Sequence, residues 1–134
     1  MKLLDLILED VSVPFPNQMV IEIENDLRDR IKVDCELPKS EEEKSTGLMY
    51  RDNLCDYCGV FYDYVSGGFW MKNVKFPIEM IFIDDDDTIV EIKRALPNDE
   101  TIISPSINSN GNLEVNDGFC KTNNISIGNK IYRS

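Results

Sequence analysis

The chain has 134 residues, of which 42% are hydrophobic and 29% are charged, and its formal net charge is −11 at pH 7. These values are typical of one globular domain, and the absence of a long apolar run argues against a transmembrane helix. The acidic excess argues against nucleic acid as a partner. Histidine is absent, which excludes catalytic pairs in which histidine activates serine or cysteine.

The first 18 residues differ in pattern from the rest, and we predict that residues 1–18 form an N-terminal extension. Their apolar run is interrupted by Asp5 and ended by Glu9 and Asp10, and no small-residue cleavage site follows. A signal peptide is therefore not predicted, and we expect a soluble, cytoplasmic protein. Alanine is rare while Ile, Asn and Lys are abundant, as in AT-rich genomes, so a phage-encoded accessory protein in the host cytoplasm is one interpretation.

The first strand signals predict a hairpin. Residues 19–24 and 30–37 have strand patterns, and Asn25-Asp26 between them is a turn signal. The second run places alternate residues on one half-buried face: Ile31, Val33, Cys35 and Leu37.

The next segment carries the strongest helix signal. Ser40 and Glu43 have the spacing of a capping box, and acidic residues occupy the first turn, where the helix dipole favours them. Gly47 stands where a glycine commonly ends a helix. We predict one short helix near Ser40–Thr46.

The second half of the chain predicts short strands separated by turns, with one helical turn within residues 119–125. The strand candidates are residues 58–64, 69–73, 78–83, 88–93, 101–103, 112–115 and 130–133. Many short strands indicate a mainly β fold, as a sandwich or a barrel. We expect residues 19–134 to form a single β domain.

Five features of the sequence are specific in combination. They are the segments Gly47–Arg51, Phe69–Asn73, Pro77–Glu79 and Leu113–Gly118, and a closing Gly128. Together they resemble the family named domain of unknown function 192, over roughly residues 30–133. The resemblance implies a compact β domain of jelly-roll-like topology, and it implies no established activity, cofactor or catalytic residue.

The same segments hold polar residues and the single tryptophan. The candidates for a binding cluster are Arg51, Trp70, Lys72, Asn73, Glu79, Glu114 and Asn116. If the fold brings them together, they line a concave site with Trp70 as its floor; otherwise they form salt bridges and turn hydrogen bonds. We expect Arg51, Lys72, Glu79 and Glu114 to converge with at least one cation–carboxylate contact, and Trp70 to be largely buried.

The cysteines and the aspartate run have two interpretations each. Cys55 and Cys58 have the spacing of zinc or redox pairs, but Cys35 and Cys120 are isolated, so four zinc ligands are not predicted. We expect reduced thiols, no metal or cofactor, and folding that does not need zinc. Residues 84–87 are four aspartates that lack the glycine and distal glutamate of a calcium loop, which predicts a solvated hairpin tip.

Three hypotheses of function follow. The favoured one is a non-enzymatic binding or protein-interaction module, monomeric or weakly self-associating, whose partner is a basic protein surface or a small ligand and is neither nucleic acid nor membrane. The first alternative is a hydrolase that uses Glu79 and Glu114 as acid and base on a carbohydrate-like substrate. The second is a cysteine-based metal or redox protein.

Overall fold

The structure is a computed structural model that describes residues 14–63 and 67–133. Within these residues the expected mainly β fold is confirmed, with seven strands and two short helices. The strands are β1 (Gln18–Glu24), β2 (Arg30–Glu36), β3 (Cys58–Asp63), β4 (Ile78–Ile83), β5 (Ile89–Ala95), β6 (Gly111–Asn116) and β7 (Lys130–Arg133). The helices are α1 (Glu41–Thr46) and α2 (Phe119–Thr122).

All seven strands belong to one sheet in the order β5-β4-β6-β3-β2-β1-β7. The pairing of β2 with β3 is parallel, and the other pairings are antiparallel. The two edges approach each other at one bridge, between Thr88 and Lys130. The sheet is therefore strongly curled and sandwich-like, without closing into a barrel along the described strands.

Both predicted hairpins form. In the β1–β2 turn, the side chain of Asn25 accepts hydrogen bonds from the backbone N–H groups of Leu27 and Asp29. In the β4–β5 turn, the carboxylate of Asp84 accepts from the backbone N–H groups of Asp86 and Thr88. The aspartates therefore make a turn, as the predicted hairpin tip requires.

Helix α1 begins as predicted. The Ser40 hydroxyl accepts from the Glu43 N–H at 3.1 Å, and the Glu43 carboxylate accepts from the Ser40 N–H at 3.5 Å. The helix ends at Gly47, whose φ is 47° and where a Cβ atom would collide with the Tyr62 hydroxyl. A larger residue at this position would meet both backbone strain and a steric clash.

The sheet carries apolar residues on both faces, which form two cores. The first core includes Ile23, Phe61, Ile81 and Leu113, and α2 contributes Phe119 to it. The second core consists of Leu48, Leu54, Val60, Tyr62, Met71, Val74, Ile78, Met80, Phe82 and Ala95. Since both faces are covered, every β6 residue from Gly111 to Val115 is buried.

Some expectations require correction. The predicted strands at residues 69–73 and 101–103 form only an isolated bridge between Phe69 and Ile103. Within the predicted extension, Phe15 is buried against the domain, while residues 1–13 lie outside the described residues. In the part of the chain that the structure describes, no helix is both long and apolar enough to span a membrane.

Candidate functional site

A cleft of about 300 Å³ lies between α1 and residues 68–74, over the second core. Buried Tyr62 from β3 and buried Glu114 from β6 form its floor. Its apolar lining consists of Leu48, Met49, Phe69, Met71 and Val74. The exposed residues Glu41, Lys44 and Trp70 stand at its rim.

The carboxylate of Glu114 is the most unusual group in this cleft. The residue is 5% exposed, and its Oε2 accepts a hydrogen bond from Asn112 Nδ2 at 3.1 Å. No cation of the described chain pairs with it, and the nearby Lys44 ammonium lies 3.9 Å from Glu41 instead. Burial raises the pKa of Glu114 from 4.5 to about 7, because a buried charge without a counter-charge is costly. Both protonation states are therefore populated near neutral pH.

The neighbouring polar groups are held in place by packing. The Tyr62 hydroxyl donates to the Lys44 carbonyl at 3.5 Å, and burial together with the Glu114 charge raises the pKa of Tyr62. Its ring meets that of Phe69 edge to face, with centroids 5.3 Å apart. The Oδ1 atom of Asn112 is buried and has no hydrogen-bond partner among the described residues. Tyr62 thus stays neutral, and Asn112 retains an unused acceptor beside Glu114.

Trp70 lies at the rim of the cleft, and the prediction that it is largely buried was wrong. It is 41% exposed, whereas the adjacent Met71 is fully buried. Consecutive residues point to opposite sides of extended backbone, so Phe69 and Met71 take the inward positions. The Lys72 ammonium lies 5.2 Å from the centroid of the Trp70 ring, which is within the range of a cation–π contact.

Arg51 is buried in an ion pair with a residue that the sequence did not indicate. Its guanidinium binds the Glu36 carboxylate in bidentate fashion, at 2.7 and 2.8 Å. The backbone N–H of Phe15 donates to the same carboxylate at 2.8 Å. The expected contact of Arg51 with Glu79 or Glu114 was therefore wrong, because Glu36, at the end of β2, already neutralises it.

Glu79 lies on the opposite face of the sheet from Glu114. In the β4–β6 ladder, Glu79 pairs with Val115 and Met80 pairs with Glu114, and paired residues share a face. The Glu79 carboxylate accepts from the N–H groups of Gly118 at 3.2 Å and Cys120 at 2.9 Å, at the start of α2. Two carboxylates on opposite faces cannot act on one glycosidic bond, so the predicted acid–base pair does not exist.

The two remaining candidates support turns. Asn73 has a φ of 61°, and its side chain donates to the Tyr50 hydroxyl at 3.1 Å. Asn116 Nδ2 donates to the carbonyls of Leu54 at 2.7 Å and Cys55 at 3.3 Å. Of the seven candidates, the cleft is lined only by Trp70 and Glu114.

The four cysteines fall into two groups. Cys55 and Cys58 form a disulfide, so the expectation of reduced thiols was wrong for this pair. Cys35 and Cys120 are buried free thiols; burial raises the pKa of Cys35 to about 12 and also raises the pKa of Cys120. Among the described residues, no group of three or more histidine, cysteine or acidic side chains is arranged to hold a metal ion.

Comparison with known proteins agrees with the motifs. The model of the family DUF192, described as "Uncharacterized ACR", matches residues 18–132. The chain belongs to the DUF192 family. DUF192 membership accounts for the motifs from Gly47 to Gly128, and no curated protein matches this sequence.

Two solved structures resemble this DUF192 chain over most of its length. One is a candidate transcription regulator from Sinorhizobium meliloti, with 27% identity, a TM-score of 0.83, and coverage of 90% of this chain and 96% of that one. Another is a protein of unknown function from Novosphingobium aromaticivorans, with 26% identity, a TM-score of 0.79, and coverage of 90% and 91%. The fold is therefore shared with both bacterial proteins.

Proposed function

We propose that this DUF192 chain is a binding module whose cleft receives a basic group on an apolar stem, such as a lysine or arginine side chain of a partner protein. The observation that carries the proposal is Glu114, a buried carboxylate that lines an open cleft and has no counter-charge among the described residues. A buried charge is tolerated best when it is paired and hydrogen-bonded. A ligand cation would supply the pairing that the described chain does not.

The walls of the cleft suit the stem of such a ligand. Met49, Phe69, Met71 and Val74 present apolar surface between the rim and Glu114, and the methylene groups of lysine and arginine pack on such surface. The volume of about 300 Å³ is at the lower end of the range for ligand pockets. This size fits one side chain better than a larger cofactor.

The rim supports the same ligand class. The ring of Trp70 lies 5.2 Å from the Lys72 ammonium, and this contact supports a role for the exposed ring in binding a cation. The net charge of −11 would draw a basic partner toward the protein, with a rate that falls as salt is added. A binding role is also compatible with the description of the Sinorhizobium meliloti relative as a candidate transcription regulator.

The proposal is tested by NMR titration with three capped amino acids: N-acetyl-lysine, N-acetyl-arginine and N-acetyl-norleucine methylamides. We expect the two cationic compounds to shift the Trp70 indole resonance saturably, and to bind at least about tenfold more tightly than norleucine, which has a similar stem without charge. Glu114→Gln should abolish the preference for the cation. Glu42→Gln, which removes the same charge from an exposed position of α1, should preserve it.

Equal binding of the lysine and norleucine compounds would contradict the proposal. Retention of the cation preference in Glu114→Gln would contradict it as well, because the selectivity would then arise from the general negative charge of the surface.

A further inference from the structure

We propose that Cys55 and Cys58 form a thiol–disulfide exchange site, separate from the Glu114 cleft, which external thiols enter by attack on the sulfur of Cys55. Cys55 is exposed and Cys58 is half-buried. Exposed disulfides are the ones that react with cellular thiols, whereas structural disulfides are shielded or resist reduction. The difference in exposure also identifies which of the two sulfurs an incoming thiolate reaches.

The position of this disulfide is unsuited to stabilising the fold. It links residues three positions apart, and a cross-link over so short a loop removes little entropy from the unfolded chain. The same turn is already closed by a hydrogen bond from the Cys58 N–H to the Cys55 carbonyl at 3.1 Å. A redox role therefore explains the pair better than a structural one.

The turn is anchored by contacts that do not involve sulfur. Asn116 Nδ2 donates to the Cys55 carbonyl at 3.3 Å, and the ring of Tyr57 packs edge to face on Phe119 with centroids 5.7 Å apart. Cys58 is the first residue of β3, which pairs with β2. These contacts would hold the two Cα atoms near their present separation of 5.1 Å after reduction, within the range that a disulfide requires. The dithiol is thus preorganised to close again.

The reaction proceeds in two balanced steps. The thiolate of an external thiol attacks Cys55 Sγ and forms a mixed disulfide; the Cys55–Cys58 bond breaks, and its electron pair leaves on Cys58 Sγ, which takes a proton from water. A second external thiolate then attacks the external sulfur of the mixed disulfide and releases Cys55 as a thiolate. The protein pair is reduced by two electrons, and two thiols are oxidised to one disulfide. Glutathione or a dithiol of a partner protein supplies these thiols.

The other two cysteines do not compete in this exchange. Cys35 and Cys120 are buried in the first core, and burial disfavours the thiolate that would act as nucleophile. The Cys55–Cys58 disulfide should therefore exchange with external thiols and not with Cys35 or Cys120. Asp56 lies between the two reacting cysteines in an acidic chain, so a cationic thiol should react faster than an anionic one.

The proposal is tested on the full chain with excess reduced glutathione under native conditions, followed by alkylation and mass spectrometry. We expect alkylation of Cys55 and Cys58 but not of Cys35 or Cys120, with an unchanged circular dichroism spectrum. Cysteamine should open the pair faster than glutathione at equal thiolate concentration. A pair that stays oxidised until denaturant is added would overturn the proposal and make the disulfide structural.

Two single variants identify the attacked sulfur. In Cys58→Ser, the free Cys55 should form a mixed disulfide with glutathione disulfide at least about tenfold faster than Cys58 does in Cys55→Ser, because access limits the half-buried sulfur. Equal rates, or faster reaction of Cys58, would overturn the assignment of Cys55. These measurements do not depend on ligand binding in the Glu114 cleft, so either proposal can fail alone.

Discussion

Glu79 on β4 and Glu114 on β6 lie on opposite faces of one sheet. Their surroundings differ in the hydrogen-bond donors that contact each carboxylate. Glu79 accepts two backbone N–H groups at the start of α2, where such donors have no partner within the helix. Glu114 accepts a hydrogen bond from one side-chain amide, and no cation within residues 14–63 and 67–133 pairs with it. Glu79 therefore stabilises the start of α2. Glu114 is instead a buried carboxylate in an open cleft, without a counter-charge among the described residues. A buried ionisable group in a cleft, with a perturbed pKa, is a candidate for a functional site, whereas a carboxylate that accepts backbone hydrogen bonds is a structural contact.

The largest effect should come from Glu114→Gln as a function of pH. Folding raises the pKa of Glu114 from 4.5 to about 7. Between these two pH values, Glu114 is therefore protonated in the folded protein and ionised in the unfolded chain. Stability should therefore fall as pH rises through this window, and the full penalty of roughly 3 kcal/mol is present above it. The glutamine variant lacks this penalty and should be the more stable protein at about pH 8.5.

Urea denaturation of both proteins across the pH range measures this difference. If the free energies of unfolding of the two proteins showed the same pH dependence, ionisation of Glu114 would not destabilise the fold. The contrast between Glu114 and Glu79 would then disappear.

A smaller effect is expected from Glu79→Ala. The change leaves the N–H groups of Gly118 and Cys120 without their acceptor, which should cost about 1–2 kcal/mol of folding free energy. Glu79→Gln keeps an oxygen acceptor and should recover part of the loss. Chemical denaturation gives the stabilities, and titration with N-acetyl-lysine methylamide should give unchanged affinity. Weakened binding with normal stability would instead assign Glu79 to the site.

The smallest effect on stability is expected from Trp70→Ala. Since the side chain is 41% exposed at the rim of the cleft, its removal should cost less than about 1 kcal/mol. Binding of the lysine compound should weaken by roughly 3- to 30-fold, the range that a cation–π contact supplies. Trp70→Phe should retain part of the affinity. A stability loss of about 3 kcal/mol or more, as for a core aromatic residue, would show that Trp70 packs as a structural residue.

Local chemistry explains the elements that could be predicted. Ser40 and Glu43 satisfy each other's backbone groups within one turn, so their spacing alone predicts the start of α1. Asn25 and Asp84 bond to backbone N–H groups two and four residues ahead, so they mark both hairpins. The Cys-x-x-Cys spacing similarly indicated a redox pair as one alternative, and a turn of four residues is enough to bring the two cysteines together.

The candidate site depends on long-range contacts that the sequence pattern does not contain. Glu36 and Arg51 meet because the chain returns after α1, and nothing in either segment indicates the other. Tyr62 likewise joins Glu114 only because β3 pairs with β6, whereas Asn112 lies on the same face of β6 as Glu114, two residues away.

The sequence by itself determined the family, the mainly β architecture, the two hairpins and the capped helix, because each depends on residues close together in the chain. Only the tertiary structure decided which carboxylate caps a helix and which lines a cleft. The residues of β6 alternate between polar and non-polar, a pattern that by itself predicts a solvent-exposed polar face, yet every residue from Gly111 to Val115 is buried. The difference between Glu79 and Glu114 therefore comes from the register of β4 against β6, and register is set by packing across the whole sheet.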